Sequence, residues 1–318
     1  MNKFLKFEKK FSFMCFLNTR LDQAITKFFK SYSRTYLKKC ILSNQVFINN
    51  KKVNIPKKKI YYGDLITVFF FKSNEVEILD KNIPLNIIYE DEHLLILNKQ
   101  TNMVVHPGAG NKNGTIFNAL LHNNKIFKNI PRSGIVHRLD KDTTGLMVIA
   151  KSLIVYKKLK NLFKSRDIHR EYEAIIIGNV ISGGVISAPI SRNIYKRTKM
   201  AVNKNGKSAV TYYKIIENFN DFTHVKVKLN SGRTHQIRVH MSYIRHPLVG
   251  DQIYGGKKFL KKGIDSIILN KIKNFPRQAL HAKKLSFFHP IKNTFMSWKT
   301  NLPKDIANLI EFLKFFNK

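Results

Sequence analysis

The stretch Gly134-Ile135-Val136-His137-Arg138-Leu139-Asp140-Lys141-Asp142-Thr143-Thr144-Gly145, followed by Leu146-Met147-Val148-Ile149-Ala150, decides how the chain is read. The second part is an apolar strand. Ahead of it, the carboxylate Asp140 stands between the basic pair His137-Arg138 and a Thr-Thr-Gly turn. Nucleophilic or base chemistry needs such a carboxylate ionised, held on a short loop by a rigid element and facing cationic partners. Taken alone, a buried Asp that merely caps a turn would look the same.

Outward from this segment the pattern is of strands with occasional helices. Leu94-Leu95-Ile96-Leu97 and Ala174-Ile175-Ile176-Ile177 read as buried strands, while Val225, Val227 and Leu229 alternate with polar neighbours as a half-solvated antiparallel strand does. Tyr156, Leu159, Leu162 and Phe163 mark an amphipathic helix between Ser152 and Ser165. The regular βαβ repeat of a doubly wound sheet is missing from residue 84 onward. We therefore expect an α+β domain over residues 84–318, with a mixed, mainly antiparallel sheet and flanking helices.

Residues 12–72 read as a separate small basic module. Leu17, Leu21, Ile25 and Phe28 recur at helical spacing after Asn18-Thr19, and a second helix near Ser33 has Tyr36, Leu37, Cys40 and Ile41 as its stripe. Val46-Phe47-Ile48, Asn49-Asn50 and Lys51-Lys52-Val53 give a hairpin signal, and Gly63-Asp64 leads into a strand from Leu65 to Val68. This helix-helix-hairpin pattern, with Arg20, Leu21, Ser33, Arg34, Val46, Asn49 and Gly63-Asp64, resembles the small RNA-binding module shared with ribosomal protein S-four. The usual module has Gly where this chain has Asn49-Asn50, and Asn tolerates the positive φ that the turn demands. Arg20, Arg34, Lys51 and Lys52, with Lys38-Lys39 and Lys57-Lys58-Lys59, are its expected RNA-facing cations. Residues 73–83 carry Ser73, Asn74, Glu75, Glu77 and Asp80, a polar break that reads as the linker.

At 318 residues the chain has room for about two domains. Its 57 Lys and Arg against 20 Asp and Glu give a formal charge of +37, which fits a polyanionic partner. The excess of Lys with Asn, Ile and Phe is also what AT-rich codon usage imposes. We assign about half of the charge to such drift on solvated faces. Cys15 and Cys40 form neither a CxxC pair nor a disulfide framework, which suits a reducing cytosol. No apolar run approaches a membrane span, and Phe11-Ser12-Phe13-Met14-Cys15-Phe16-Leu17 lacks the small-residue cleavage site of a signal peptide. A cytoplasmic protein without a membrane partner is expected.

Two further segments accompany the Asp140 loop. Arg170-Glu171-Tyr172-Glu173-Ala174 opens a buried strand with a tyrosine, and Ser231-Gly232-Arg233-Thr234-His235-Gln236-Ile237-Arg238-Val239-His240 leaves a tight turn with an arginine at its apex. Singly, each has a bland reading: a core Tyr, an Arg in a surface ion pair. In order, and flanked by His106-Pro107-Gly108 and Pro247-Leu248-Val249-Gly250-Asp251, the three segments resemble the RluA/RluD family of RNA pseudouridine synthases over nearly the whole chain. Gly206-Lys207-Ser208 imitates the end of a phosphate-binding loop, but the required upstream glycine is Ala201. Gly108-Ala109-Gly110-Asn111-Lys112-Asn113-Gly114 lacks dinucleotide-binding spacing, and His235 with His240 lacks further zinc ligands nearby.

The resemblance implies isomerisation of uridine to pseudouridine. The glycosidic C–N bond breaks, the freed uracil turns, and ring carbon five rejoins the sugar, with no redox change and hence no cofactor or metal. It assigns nucleophilic or base catalysis to Asp140, leaving open whether this group attacks the base, attacks the sugar or removes a sugar proton. Arg233, by its motif position, is the expected cation that keeps Asp140 ionised. Tyr172 is expected to stack on the target uracil and to be available for the proton of ring carbon five. Arg138 is expected to fill the space left by the flipped base. His137, beside it, is of a type that more often fixes a loop by hydrogen bonds than moves protons. Val105-His106-Pro107-Gly108-Ala109-Gly110-Asn111, Asn118-Ala119-Leu120-Leu121-His122, Thr143-Thr144-Gly145, Thr198-Lys199-Met200-Ala201-Val202 and Arg277-Gln278-Ala279-Leu280-His281-Ala282 resemble the large-subunit rRNA subgroup. The implied partner is large-subunit rRNA at the stem-loop that bridges the subunits, free or within an assembling ribosomal particle, and a monomeric enzyme is expected. The alternatives are a synthase acting on other rRNA sites or on tRNA, or an rRNA-binding ribosome-assembly factor that performs no chemistry.

Overall fold

The computed structural model describes residues 6–16, 18–29, 32, 34–72, 83–108, 111 and 113–317, and the chain divides into two compact units, residues 1–78 and 79–318. In the first, β1 (Lys6–Met14) and β2 (Thr19–Arg20) precede α1 (Leu21–Phe28) and α2 (Arg34–Leu42), followed by β3 (Val46–Ile48), β4 (Lys51–Val53), β5 (Lys59–Ile60) and β6 (Leu65–Lys72). Four strands form a sheet in the order β1-β6-β3-β4, and β2 pairs with β5. Leu21, Ile25, Leu37, Ile41, Val46, Ile66 and Val68 pack its core. Asn49 and Asn50 turn the β3-β4 hairpin with φ of 47° and 66°, the left-handed region that Asn tolerates. The first helix begins at Leu21, because Thr19 and Arg20 pair with Ile60 and Lys59 instead. Phe28, expected in the core stripe, is 54% exposed and stacks at 4.0 Å on Phe13. Leu17, Ser33 and residues 73–82 of the expected linker lie outside the described residues.

The second unit contains β7 (Ile87–Glu90), β8 (Leu94–Lys99), α3 (Ile116–Asn123), β9 (Thr144–Ala150), α4 (Leu153–Ser165) and β10 (His169–Ile177). It continues with β11 (Gly184–Ser187), β12 (Ile190–Arg192), β13 (Met200–Val202), β14 (Val210–Phe219), β15 (Phe222–Leu229) and α5 (Gln236–Tyr243). The last elements are α6 (Ser266–Lys273), β16 (Leu280–Phe288), β17 (Phe295–Lys299) and α7 (Lys304–Phe315). Among the described residues, nine strands form one sheet in the order β11-β14-β15-β10-β16-β9-β8-β7, with β17 also paired to β16. Every pairing in it is antiparallel except β9 with β16. A mixed α/β unit with a mainly antiparallel sheet is the observed architecture. β12 and β13 make a separate hairpin.

Alternation along β10 explains the unbroken apolar run that ends it, residues 174–177. Ala174 and Ile176 join the core that includes Ile116 and Leu120 of α3 and Val155 and Leu159 of α4. Ile175 and Ile177 join a second core with Ile272 of α6 and Ile306, Leu309 and Leu313 of α7. Over residues 174–177 the strand is buried on both faces, so all four positions are apolar.

Two glycines fix how the Asp140 segment lies against β9. Gly134 has φ of 77°, and a Cβ there would stand 2.0 Å from the Ala150 carbonyl oxygen. Gly145 has φ of 113°, and its Cβ would stand 2.3 Å from the Ala282 carbonyl oxygen. Both positions combine a left-handed backbone with a close approach that no side chain permits. Gly134→Ala should therefore destabilise the protein by about 2–4 kcal/mol. Urea unfolding measures this, and a loss below about 1 kcal/mol would mean that the backbone at Ala150 retreats freely.

Candidate active site

The loop carrying Asp140 is held from beneath by its own neighbours. Leu139, 5% exposed, anchors it in the main core. The Thr143 N–H donates to the Asp140 carbonyl and closes the turn. Lys99 Nζ donates to the carbonyls of Gln100, Met103 and Lys141 at 2.8, 3.0 and 2.8 Å. Arg277 Nη1 donates to the Asp142 carbonyl at 2.9 Å, Gln278 Nε2 to Thr143 Oγ1 at 3.1 Å, and Thr144 Oγ1 meets His281 Nδ1 at 2.8 Å. Burial pulls Lys99 down to about 7 against the pull of Asp142 and Asp140.

From this loop the Asp140 carboxylate reaches a cation on the first turn of α5. Arg238 Nη1 donates to Asp140 Oδ2 at 3.0 Å. The same guanidinium grips Asp251 with two bonds, Nε to Oδ2 at 2.7 Å and Nη2 to Oδ1 at 2.9 Å. Asp251 Oδ1 also accepts the N–H groups of Ile253 and Tyr254. Burial works against the Arg238 cation, but its two carboxylate partners outweigh it and hold its pKa above the ordinary arginine value.

The expected pairing of Arg233 with Asp140 is not what the chain forms. Arg233 lies exposed at the turn before α5 and donates through Nε to the Ser208 carbonyl at 3.1 Å. Arg238, one turn further on, is the arginine that meets the loop. The motif holds two arginines, and the one at the turn apex is the more exposed. The helical position of Arg238 and the downstream acid Asp251 are the sequence signals that distinguish them.

His235 completes this side. Its backbone is left-handed, with φ of 57°, and its Nε2 stands 3.8 Å from Asp140 Oδ1. Tyr254 Oη accepts the Met200 N–H and meets His235 Nδ1 at 2.8 Å. Burial lowers the His235 pKa, with Asp140 opposing.

Tyr172, 6% exposed on β10, lines the same cleft as Asp140. Burial raises its phenol pKa against the opposing Arg170 charge, with a smaller push from Asp140, so it is a neutral phenol at neutral pH. His137 Nε2 accepts the Val148 N–H at 3.0 Å, and its ring lies 4.8 Å from that of Phe163. This is the loop-fixing geometry. Burial, followed by the Arg170 charge, lowers its pKa to about 3. Arg138 is exposed on the cleft wall and has no hydrogen-bond or ion-pair partner among the described residues.

The cleft has a volume of about 740 Å³ and is walled by five arginines, 132, 138, 170, 233 and 238, against one carboxylate, Asp140. That imbalance draws in an anionic ligand while the acid itself stays paired. In the first unit, Arg20 and Arg34 converge on the buried Asp22, with Arg20 bidentate at 3.0 and 2.8 Å and Arg34 at 3.3 Å. Lys51 and Lys52 are exposed on β4.

Comparison with known proteins gives a consistent result. Residues 93–243 match the family described as RNA pseudouridylate synthase. The ribosomal large subunit pseudouridine synthase D of Buchnera aphidicola subsp. Baizongia pistaciae is 51% identical over 93% of this chain and 94% of that protein. The protein of the same name from Escherichia coli (strain K12) is 47% identical over 94% of this chain and 91% of its own length. The solved structure of human RNA pseudouridylate synthase domain containing 4 superposes with a TM-score of 0.56 at 25% identity, covering 72% of this chain and 93% of that one.

The His137 geometry has a pH signature. The folded ring must stay neutral to accept the Val148 N–H, whereas the unfolded ring takes a proton below about pH 6.5. Stability tied to this group is therefore full above pH 6.5 and lost as the pH falls toward 3. Between pH 6.5 and 5 the wild type should lose about 2 kcal/mol more than His137→Gln. Urea midpoints at the two pH values measure it, and parallel losses in both proteins would remove His137 as the cause.

Proposed function

The chain belongs to the RNA pseudouridylate synthase family, and on that footing we propose that it isomerises uridines to pseudouridine in large-subunit rRNA. The observation that carries this reading is the Asp140–Arg238–Asp251 chain of charges at the floor of an arginine-walled cleft. Arg238 aims Asp140 through its hydrogen bond, taking the part that motif position alone gave to Arg233. Asp140 acts on the target nucleoside as nucleophile or base. Tyr172 supplies an aromatic face for the uracil as its bond to the sugar breaks and ring carbon five replaces nitrogen. Removing the base from its stack costs a few kcal/mol, and the unpartnered Arg138 fills the gap it leaves.

The first unit serves as a second RNA contact. Its helix-helix-hairpin order and its exposed Lys38, Lys39, Lys51, Lys52, Lys57, Lys58 and Lys59 support this role. Arg20 and Arg34, drawn together on Asp22, shape that surface as well as charge it. The substrate within this reading is the intersubunit-bridge stem-loop, free or in an assembling particle, and the enzyme acts as a monomer in the cytoplasm. Among the described residues, no helix is long and apolar enough to cross a membrane.

Asp140→Asn should abolish pseudouridine formation on an rRNA fragment while leaving RNA affinity within about twofold, because affinity rests on phosphate contacts elsewhere. Mapping pseudouridine by chemical labelling and affinity by filter binding separates the two. Full rescue of ribosome assembly by this variant in cells lacking the protein would favour the non-catalytic assembly role. Neutralising Lys51, Lys52 and Lys57 together should weaken binding and reduce its salt slope by up to about one unit for each lysine that holds a phosphate. An unchanged slope would identify these lysines as solvated ornament.

A further inference from the structure

A second cavity, of about 490 Å³, adjoins the catalytic cleft and shares Gly232, Arg233 and Thr234 with it as a common wall. Its other walls come from β12, β13 and the turn before β14, and they include Arg192 and Lys207. No carboxylate lines it, and none of the three cations Arg192, Lys207 and Arg233 forms an ion pair among the described residues. Three uncompensated cations around one hollow leave an unbalanced positive field that an anion neutralises.

The cations are carried on fixed backbone. Lys207 exchanges two hydrogen bonds with Ile190, both at 2.9 Å, and the Gly206 N–H donates to the Asn203 carbonyl at 2.8 Å. A Cβ at Gly206 would stand 2.6 Å from the Ile190 carbonyl carbon, so the turn seats against β12 only with glycine there. Arg192 pairs with Met200 across the hairpin, and the Met200 N–H is tied to Tyr254, which also touches His235 beside Asp140. Arg233 spends Nε on the Ser208 carbonyl, its two terminal nitrogens take no partner among the described residues, and it lines both cavities. Gly206-Lys207-Ser208, which imitates a nucleotide-binding loop in sequence, thus presents its lysine beside two arginines instead.

We propose that this cavity holds an RNA backbone phosphodiester next to the target uridine, bound by Arg192, Lys207 and Arg233. The site rests on the pseudouridine-synthase reading and adds to it the subsite that sets the register of the strand. The shared wall places it one step along a strand from the nucleotide in the cleft. Two guanidinium forks and one ammonium match the tetrahedral oxygens of a phosphodiester. A base bound in the same hollow would leave the three cations without a counter-charge.

The test uses the full-length protein and an rRNA fragment in steady-state pseudouridine assays. Lys207→Gln and Arg192→Gln should each raise KM about fivefold, the size of one exposed charge contact, with kcat within twofold. The slope of log kcat/KM against log salt should flatten by about 0.7 for each cation removed, and Lys207→Arg should restore both. A neutral methylphosphonate at one of the two linkages flanking the target uridine should cost the wild type about fivefold and cost Lys207→Gln nothing more. Unchanged KM and slope in both Gln variants, or a methylphosphonate penalty that persists in Lys207→Gln, would overturn the subsite while leaving the enzyme reading intact. A wild type that binds the fragment but forms no pseudouridine would sink the enzyme reading. In that event the same variants, measured by binding affinity, still decide the phosphate site.

Discussion

The site depends on one buried ion pair. Asp251, whose side chain has no exposed surface, is satisfied by the two-pronged grip of Arg238 and by two backbone N–H groups. Desolvating two charges is unfavourable, and such a pair persists only where every lone pair and proton finds a partner. That condition locks the guanidinium plane. One nitrogen remains, and it faces Asp140. The Asp140 carboxylate is thus oriented by a group that has no alternative rotamer without leaving a buried charge unpaired, a penalty of about 3–5 kcal/mol.

The groups that line the cleft are held to different degrees. On the acid side, Lys99, Arg277, Gln278 and His281 place buried polar groups against the loop, fixing its carbonyls and hydroxyls. The three carbonyl acceptors of Lys99 match the three N–H donors of its ammonium form even though burial lowers its pKa. Elsewhere on the cleft wall, Arg138 and Arg233 are exposed and their side chains hold few or no protein bonds. The acid is thus rigidly held while the cations that share its cleft are not.

Much of this was legible in the residues. The runs around Leu94, Leu146 and Ala174 became strands because their unbroken apolar character matches a sheet covered on both faces, and the α4 stripe kept its helical period. The Asp140 loop, Tyr172 and the turn at Arg233 line one cleft, as their clustering in three motifs implied. The choice between Arg233 and Arg238 was not legible, because it depends on helix phase across a left-handed residue, His235, that local pattern does not reveal. Lys99 was equally silent, since a lysine ending an apolar strand normally reads as a surface residue. In the first unit, ring stacking of Phe28 on Phe13 overrode helical periodicity.

The single parallel pairing in the large sheet has a temporal consequence. Thr144 bonds His281, a residue 137 positions later, and the grip of Arg277 and Gln278 on the same loop spans 135 positions each. Contacts of such separation form late, after the intervening chain has closed. A nascent polypeptide therefore cannot brace the Asp140 loop until Arg277, Gln278 and His281 have themselves been synthesised and have docked against it.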